Sequence, residues 1–304
     1  MAVSGTPATA VPGRSLAFNL LLSLRPGQWT KNLLVFAGLL FAKRLFDGAA
    51  VGDASAAFAI FCALSGAVYL GNDIADRDID RRHPLKAQRP LASGALPVPV
   101  AIAAAVVLVG GGLAGAFVIA PRLGWVSAGY LALGILYSTT LKHLVILDVL
   151  TIAIGFVLRA VAGAFAIDVE ISQWLLVCTI LLALFIALAK RRHELVLLAD
   201  GATGHRPILG EYSAYLLDQM IAVVTASTLV AYIFYTISPE TQQKFGTAWL
   251  ELTIPFPIYG IFRYLYLVHR REGGGSPAEL LLTDRPLLAC VAVWVLSVAF
   301  IIYQ

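Results

Sequence analysis

The chain has 304 residues, 59% of them hydrophobic and only 13% charged, with a mean hydropathy of +0.83. That little charge cannot cover the outside of a soluble domain, so a water-soluble globular protein is excluded. The pI near 9.0 then reports membrane topology rather than a nucleic-acid partner, and the three cysteines, each inside an apolar run, form neither a disulfide framework nor a metal spacing.

Residues 1–15 are small, polar and proline-containing and read as a disordered cytoplasmic tail, with no cleavable signal peptide. The stretch 16–24, LAFNLLLSL, is too short to span and is predicted to lie at the interface. About nine spanning helices follow, roughly 30–46, 54–79, 97–120, 124–141, 145–167, 171–199, 212–237, 247–270 and 284–303. Residues 16–304 therefore read as a single all-α transmembrane domain.

Charge sets the orientation. Alternate connections carry Arg14, Arg25 and Lys31; Arg77, Arg81, Arg82, Lys86 and Arg89; Lys142; Lys190, Arg191, Arg192 and Arg206; and Arg270, Arg271 and Arg285. The intervening ones hold only Lys43, Arg44, Arg122 and Lys244, which places the basic loops in the cytoplasm. The long polar loops 80–96, 200–211 and 271–283, the last with Gly273-Gly274-Gly275, lie on that side, so the cytoplasmic face is expected to be the working face.

The segment 69–90, YLGNDIADRDIDRRHPLKAQRP, closes the second span. On an α-helix Asn72, Asp73, Asp76 and Asp80 fall within an arc of about 100°, with Asp78 nearly opposite. Carboxylates gathered near a membrane repel one another and cost desolvation unless a cation lies among them. Hard oxygen donors in this number suit Mg2+, and Arg81, Arg82, Lys86 and Arg89 suit the diphosphate it would carry. A charged helix end in a positive-inside loop explains the basic residues but not the acidic ones. His83, beside Pro84, reads as a loop residue.

This N-D-x-x-D-x-x-x-D pattern resembles the first Asp-rich motif of the UbiA superfamily of intramembrane prenyltransferases. The resemblance implies a UbiA-type bundle and catalytic domain with a cytoplasm-facing active site, in which Asn72, Asp73, Asp76 and Asp80 hold Mg2+ bridging to a diphosphate leaving group. The family's second Asp-rich motif, at the end of the sixth span, is replaced here by Lys190-Arg191-Arg192-His193-Glu194. Helical geometry puts Lys190, Arg191 and Glu194 on one face, turning a second metal site into direct phosphate contacts. Arg25-Pro-Gly-Gln28-Trp29-Thr-Lys31-Asn32, His83-Pro84-Leu-Lys86-x-x-Arg89-Pro90, Leu141-Lys142-His143, Leu158-Arg159-Ala-x-Ala-Gly163 and Asp284-Arg285 occur in order along the chain. As a set they are similar to the decaprenyl-phosphate phosphoribosyltransferase branch, with Asp148 standing where that branch is expected to carry Glu.

That resemblance implies transfer of 5-phosphoribose from phosphoribosyl diphosphate to a polyprenyl phosphate, with Mg2+ as cofactor, in the inner membrane; a homo-oligomer is compatible with it. Asp73, Asp76 and Asp80 take the catalytic role, and Lys31, Asn72, Arg82, Lys86, Arg89, Lys142, Arg159, Lys190, Arg191 and Glu194 the substrate-binding one. Arg159, in mid-span, has to face the bundle interior, where it serves a neighbouring helix or an anionic ligand; Asp148, eleven residues earlier, lies about 16 Å away by helical rise and is too far to be its partner. The nearest rival is an ordinary prenyltransferase acting on an aromatic or other small acceptor. A transporter with buried carboxylates would place them near midplane at broken helices of repeated halves, which this chain lacks.

Overall fold

The computed structural model describes residues 15–82, 86–198, 207–270, 280 and 283–304. The expected tail, His83-Pro84, most of the 200–211 loop and the Gly273-Gly274-Gly275 run lie outside the described residues. Within them the chain is helical, in the order α1 (Leu16–Ser23), α2 (Ala37–Phe41), α3 (Gly48–Ala75), α4 (Arg77–Asp80), α5 (Pro90–Ser93), α6 (Val98–Ile119), α7 (Pro121–Thr139), α8 (Leu147–Ala166), α9 (Gln173–Leu198), α10 (Ala214–Ile237), α11 (Pro239–Phe245), α12 (Pro255–Arg270) and α13 (Arg285–Tyr303). Turns of 3₁₀ helix at Pro26–Phe36, Lys86–Gln88, Leu141–His143, Pro207–Glu211 and Trp249–Thr253 connect them.

Among the described residues, 6 helices are long and apolar enough to cross a membrane: Gly48–Ala75, Val98–Ile119, Leu147–Ala166, Gln173–Val196, Ala214–Ile237 and Arg285–Tyr303. The count of about nine is not reached. The expected span at 30–46 is divided between an 11-residue 3₁₀ stretch and the 5-residue α2. Both pack tightly on α8: Val35's carbonyl lies where a side chain on Gly163 would be, and Ala164 backs Gly38 of α2. α7 forms, with its apolar run diluted by Ser127, Tyr130, Tyr137 and Ser138. α12 begins at Pro255 and has 16 described residues, ending where the described stretch ends at Arg270. Val106, Val107, Val118, Val223, Leu296 and Phe300 are well exposed on the spanning helices, which lipid tolerates and water does not. The chain is a multi-pass membrane protein.

The chain divides into two compact units. One comprises the chain up to Gly27 and Ala63–Gly111. Its core is Leu70, Leu91, Leu96 and Ala101, with Leu20 and Leu24 of α1 packed on it. Gly66 admits α1 closely: a Cβ there would lie 2.9 Å from a Leu24 methyl. The other unit comprises Gln28–Cys62 and Gly112–Gln304. Val149, Phe185, Leu188, Leu217, Ile221, Tyr264, Leu267 and Leu287 join α8, α9, α10, α12 and α13 in one cluster. A second cluster forms around Tyr232, Tyr235, Phe245, Leu250, Val298 and Ile302. Ser213 and Asp284 cap α10 and α13 by accepting the backbone N–H three residues on.

Candidate functional site

The carboxylate motif lies in the first unit, at a break in the helix. α3 ends at Ala75, Asp76 takes φ −90° and ψ 4°, and α4 resumes at Arg77. Asp76 N still donates to Asn72 O (2.9 Å) and Asp80 N to Asp76 O (2.8 Å), so four-residue hydrogen bonding runs on through the turn. Asp73 and Asp80 are buried and share one guanidinium. Arg89 Nη1 donates to Asp73 Oδ1 at 3.1 Å and to Asp80 Oδ2 at 2.7 Å. Arg25 Nη2 donates to the same Asp73 oxygen at 2.6 Å, its guanidinium 4.7 Å from the Tyr69 ring centre. Lys86 Nζ stands 3.8 Å from Asp80 Oδ1.

Local sequence explains these placements. Pro90 opens α5 and leaves Arg89 extended ahead of it, while Arg81 Nε donates to Ala92 O across 3.1 Å and ties α5 to α4. Arg25, at φ 54°, adopts a left-handed turn before Pro26. Asn72 and Asp76 are half-buried, and their side chains have no hydrogen-bond or ion-pair partner among the described residues. Asp78 is exposed beside Arg81 at 3.3 Å, and Arg82 is exposed with no ion-pair partner among the described residues.

Two buried carboxylates that converge on one cation mark a place built to hold positive charge. With Asp76 and Asn72 beside them, the donors are hard oxygens, which fits Mg2+. Among the described residues no three acidic, histidine or cysteine side chains gather closely enough to hold a metal ion, so Asp73, Asp76 and Asp80 do not form a metal-binding group as they stand.

The predicted basic face lies in the second unit, at the end of α9. Lys190 Nζ is 3.8 Å from Glu194 Oε1, and Arg191 Nη1 donates to Glu194 Oε2 at 2.7 Å. Arg191 differs from the expected phosphate contact: its side chain is only 2% exposed, and Nε donates to fully buried Asp148 at 2.8 Å. Tyr137 accepts from Nη2 at 3.4 Å. Asp148 also accepts from the Tyr212 hydroxyl at 2.8 Å, which in turn accepts from Ile146 N at 2.7 Å. Burial pushes the Tyr212 phenol up to about 12, so it remains a donor at working pH. Asp148's partner is thus Arg191 on the next helix. Arg192 and His269 both pair with Asp218.

Arg159, also in this unit, is buried and bonded through each of its three side-chain nitrogens. Nε donates to Asn32 Oδ1 (2.7 Å), Nη1 to Gly155 O (2.7 Å) and Nη2 to Tyr130 Oη (2.8 Å), with the Tyr130 and Phe156 rings close by. It links α8 to α7 and to the Pro26–Phe36 stretch. Lys31 is half-buried in that stretch. Lys142, half-buried on the Leu141–His143 turn, has no ion-pair partner among the described residues.

Sequence reasoning missed Arg25 and Tyr212 as members of these clusters. Charge had placed Arg25 on the same face as the carboxylate motif, which was a usable signal. Tyr212 gave none.

The sequence profile of the UbiA prenyltransferase family matches residues 32–283. A decaprenyl-phosphate phosphoribosyltransferase of Mycolicibacterium smegmatis is 34% identical over 308 residues, covering 97% of this chain and 96% of that one. One of Corynebacterium glutamicum is 32% identical over 297 residues, covering 96% and 89%. A UbiA homologue of Archaeoglobus fulgidus, solved with GPP and Mg2+, superposes with a TM-score of 0.72 over 94% of this chain and 99% of that one, at 19% identity.

Proposed function

We propose that this chain, which belongs to the UbiA prenyltransferase family, transfers 5-phosphoribose from phosphoribosyl diphosphate to a polyprenyl phosphate in a Mg2+-dependent reaction. The product would be a polyprenylphosphoryl-5-phosphoribose that feeds the arabinose donors of the cell envelope. The observation that carries the reading is the end of α9, where Lys190, Arg191 and Glu194 form an ion-paired cluster in place of a second set of metal-binding carboxylates. The relatives named as phosphoribosyltransferases, aligned over nearly the whole chain, support it. So does the homologue solved with GPP and Mg2+, for the fold and for the dependence on Mg2+.

Asp73, Asp76 and Asp80, with Asn72, would hold Mg2+, which supplies charge neutralisation that makes diphosphate a good leaving group from ribose C1. Arg89 already touches both buried carboxylates, so it reaches any anion carried there; Lys86 and Arg82 flank the same place. Lys190 and Glu194 would meet the donor's other polar groups, with Lys31 and Lys142 as further phosphate holders. The lipid phosphate is anionic at neutral pH and needs no general base. In-line displacement of an α-configured donor gives a β-linked product. Residues 16–304 act as one catalytic domain in the inner membrane, with the site open to the cytoplasm, where the charged donor is available.

The test is to incubate detergent-purified protein with Mg2+, labelled phosphoribosyl diphosphate and a polyprenyl phosphate, and to follow label into the organic phase. Metal-dependent lipid labelling, lost with EDTA and in Asp76→Asn, is the expected result. Folded protein that instead uses a prenyl diphosphate with an aromatic acceptor would overturn the donor assignment while leaving the metal site in place.

A further inference from the structure

Arg191 was expected to grip phosphate, but its side chain is only 2% exposed and bonds Asp148, Glu194 and Tyr137 through its three nitrogens, so burial keeps it from a ligand. What it does offer is a rigid connection. From Tyr212 the bonds run to Asp148 (2.8 Å), from Asp148 to Arg191 (2.8 Å), from Arg191 to Glu194 (2.7 Å), and Glu194 lies 3.8 Å from Lys190. Exposure of the side chains rises along that path, from 0% at Asp148 and 2% at Arg191 to 24% at Glu194 and 44% at Lys190. The path is anchored at its buried end and open at its far end, so a ligand meets only Glu194 and Lys190.

A strained turn adjoins the buried end. Ile146 is β-branched yet sits at φ 70° and ψ −44°, a conformation that such a residue keeps only where its surroundings impose it. Its N–H donates to the Tyr212 hydroxyl at 2.7 Å, the same oxygen that donates to Asp148. Four residues earlier in the chain, Lys142 sits on the Leu141–His143 turn, which leads directly into Ile146. One phenol therefore fixes both the carboxylate that orients Arg191 and the loop that presents Lys142.

We propose that Asp148 and Tyr212 are positioning residues for the donor's phosphates: through Arg191 they set Glu194 and Lys190, and through Ile146 they set the Lys142 turn. The inference rests on the phosphoribosyl-transfer reading and assigns work to residues outside the contact set. Neither side chain touches substrate. Loss of either leaves the chemistry intact and degrades the binding of the donor.

The experiment compares kcat and KM for phosphoribosyl diphosphate, together with melting temperature, in the full-length protein and in Tyr212→Phe, Asp148→Asn, Asp148→Glu and Glu194→Gln. Tyr212→Phe removes one oxygen and is the variant most certain to fold. It should raise donor KM roughly tenfold with kcat nearly unchanged. Asp148→Asn should do more in the same direction, and Asp148→Glu should recover most of the loss. Because the residues act through one guanidinium, Tyr212→Phe combined with Glu194→Gln should cost less than the product of the two separate effects. Tyr212→Phe and Asp148→Asn variants that melt lower but keep the wild-type KM would overturn the proposal and leave an ordinary buried ion pair. Full multiplicativity in the double variant would do the same. Wild-type protein that is inactive on phosphoribosyl diphosphate sinks the functional reading at once, whereas active wild-type protein with indifferent variants sinks only this inference.

Discussion

The two charged clusters have similar inventories and opposite construction. At the end of α3 the carboxylates Asp73 and Asp80 are buried while the cations on them are not: Arg25, Arg89 and Lys86 are 31%, 30% and 43% exposed. At the end of α9 the cation itself is buried, Arg191 at 2%, between Asp148 and Glu194. Cations on the outside can be displaced from their carboxylates by a stronger one or turned toward an anion, whereas a guanidinium held in the interior can do neither. The first arrangement is open to ligands, and the second holds a framework in place. Burial of the cation, more than the number of charges, separates the two.

The largest effect should come from breaking the closed cluster. Arg191→Met leaves Asp148 buried without its counter-ion, which should cost about 3–5 kcal/mol of stability. Adding Asp148→Leu should recover part of that loss, because the orphaned charge is then gone. Melting curves of the single and double variants check this. A double variant less stable than Arg191→Met alone would mean that Asp148 has other work in the core.

At the open cluster the same logic predicts lost activity with little lost stability. Asp76 is half-buried and carries no partner among the described residues, so Asp76→Asn should fold normally. Its transfer rate should fall by about 10²–10³, the several kcal/mol that a metal-held leaving group supplies. Initial rates across a Mg2+ titration, beside a melting curve, separate the two readouts. Arg89→Gln should fall between these extremes, since Arg89 bridges two buried carboxylates but is itself partly solvated. Donor KM should rise roughly tenfold and the melting temperature should drop, with both effects shrinking as Mg2+ is raised to take up the freed carboxylate charge.

Much of this was legible in the sequence, and the missing parts have physical causes. Helices α3, α6, α8, α9, α10 and α13 follow from uninterrupted apolar runs. The run at 30–46 is not one continuous helix, because an apolar stretch states what a segment dissolves in and not which helix it forms; its geometry depends on Gly163 of a distant helix. Asn72, Asp73, Asp76 and Asp80 were legible as a group from spacing alone, and the break at Asp76 was not. Asp148 shows the limit most clearly. Helical rise correctly ruled out Arg159, but rise along one helix says nothing about neighbours, and both Arg191 and Tyr212 come from other elements. Arg159 followed the opposite course. An arginine in mid-span must have interior partners, and Asn32, Gly155 and Tyr130 supply them.

The smallest predicted effect tests the comparison most finely. Lys86 Nζ stands 3.8 Å from Asp80 with 43% of its side chain exposed, a geometry in which an ion pair contributes at most about 1 kcal/mol. Lys86→Ala should therefore leave the melting temperature almost unmoved. If the open cluster receives a diphosphate, the same change should raise donor KM several-fold, and the rise should fade with added salt because the lost interaction is electrostatic and solvent-exposed. A salt-independent KM would mean that Lys86 belongs to the framework, as Arg191 does. An unchanged KM would confine the donor's diphosphate to Arg25, Arg89 and the carboxylates. Either result redraws the boundary between the side chains that hold the protein together and those that hold the substrate.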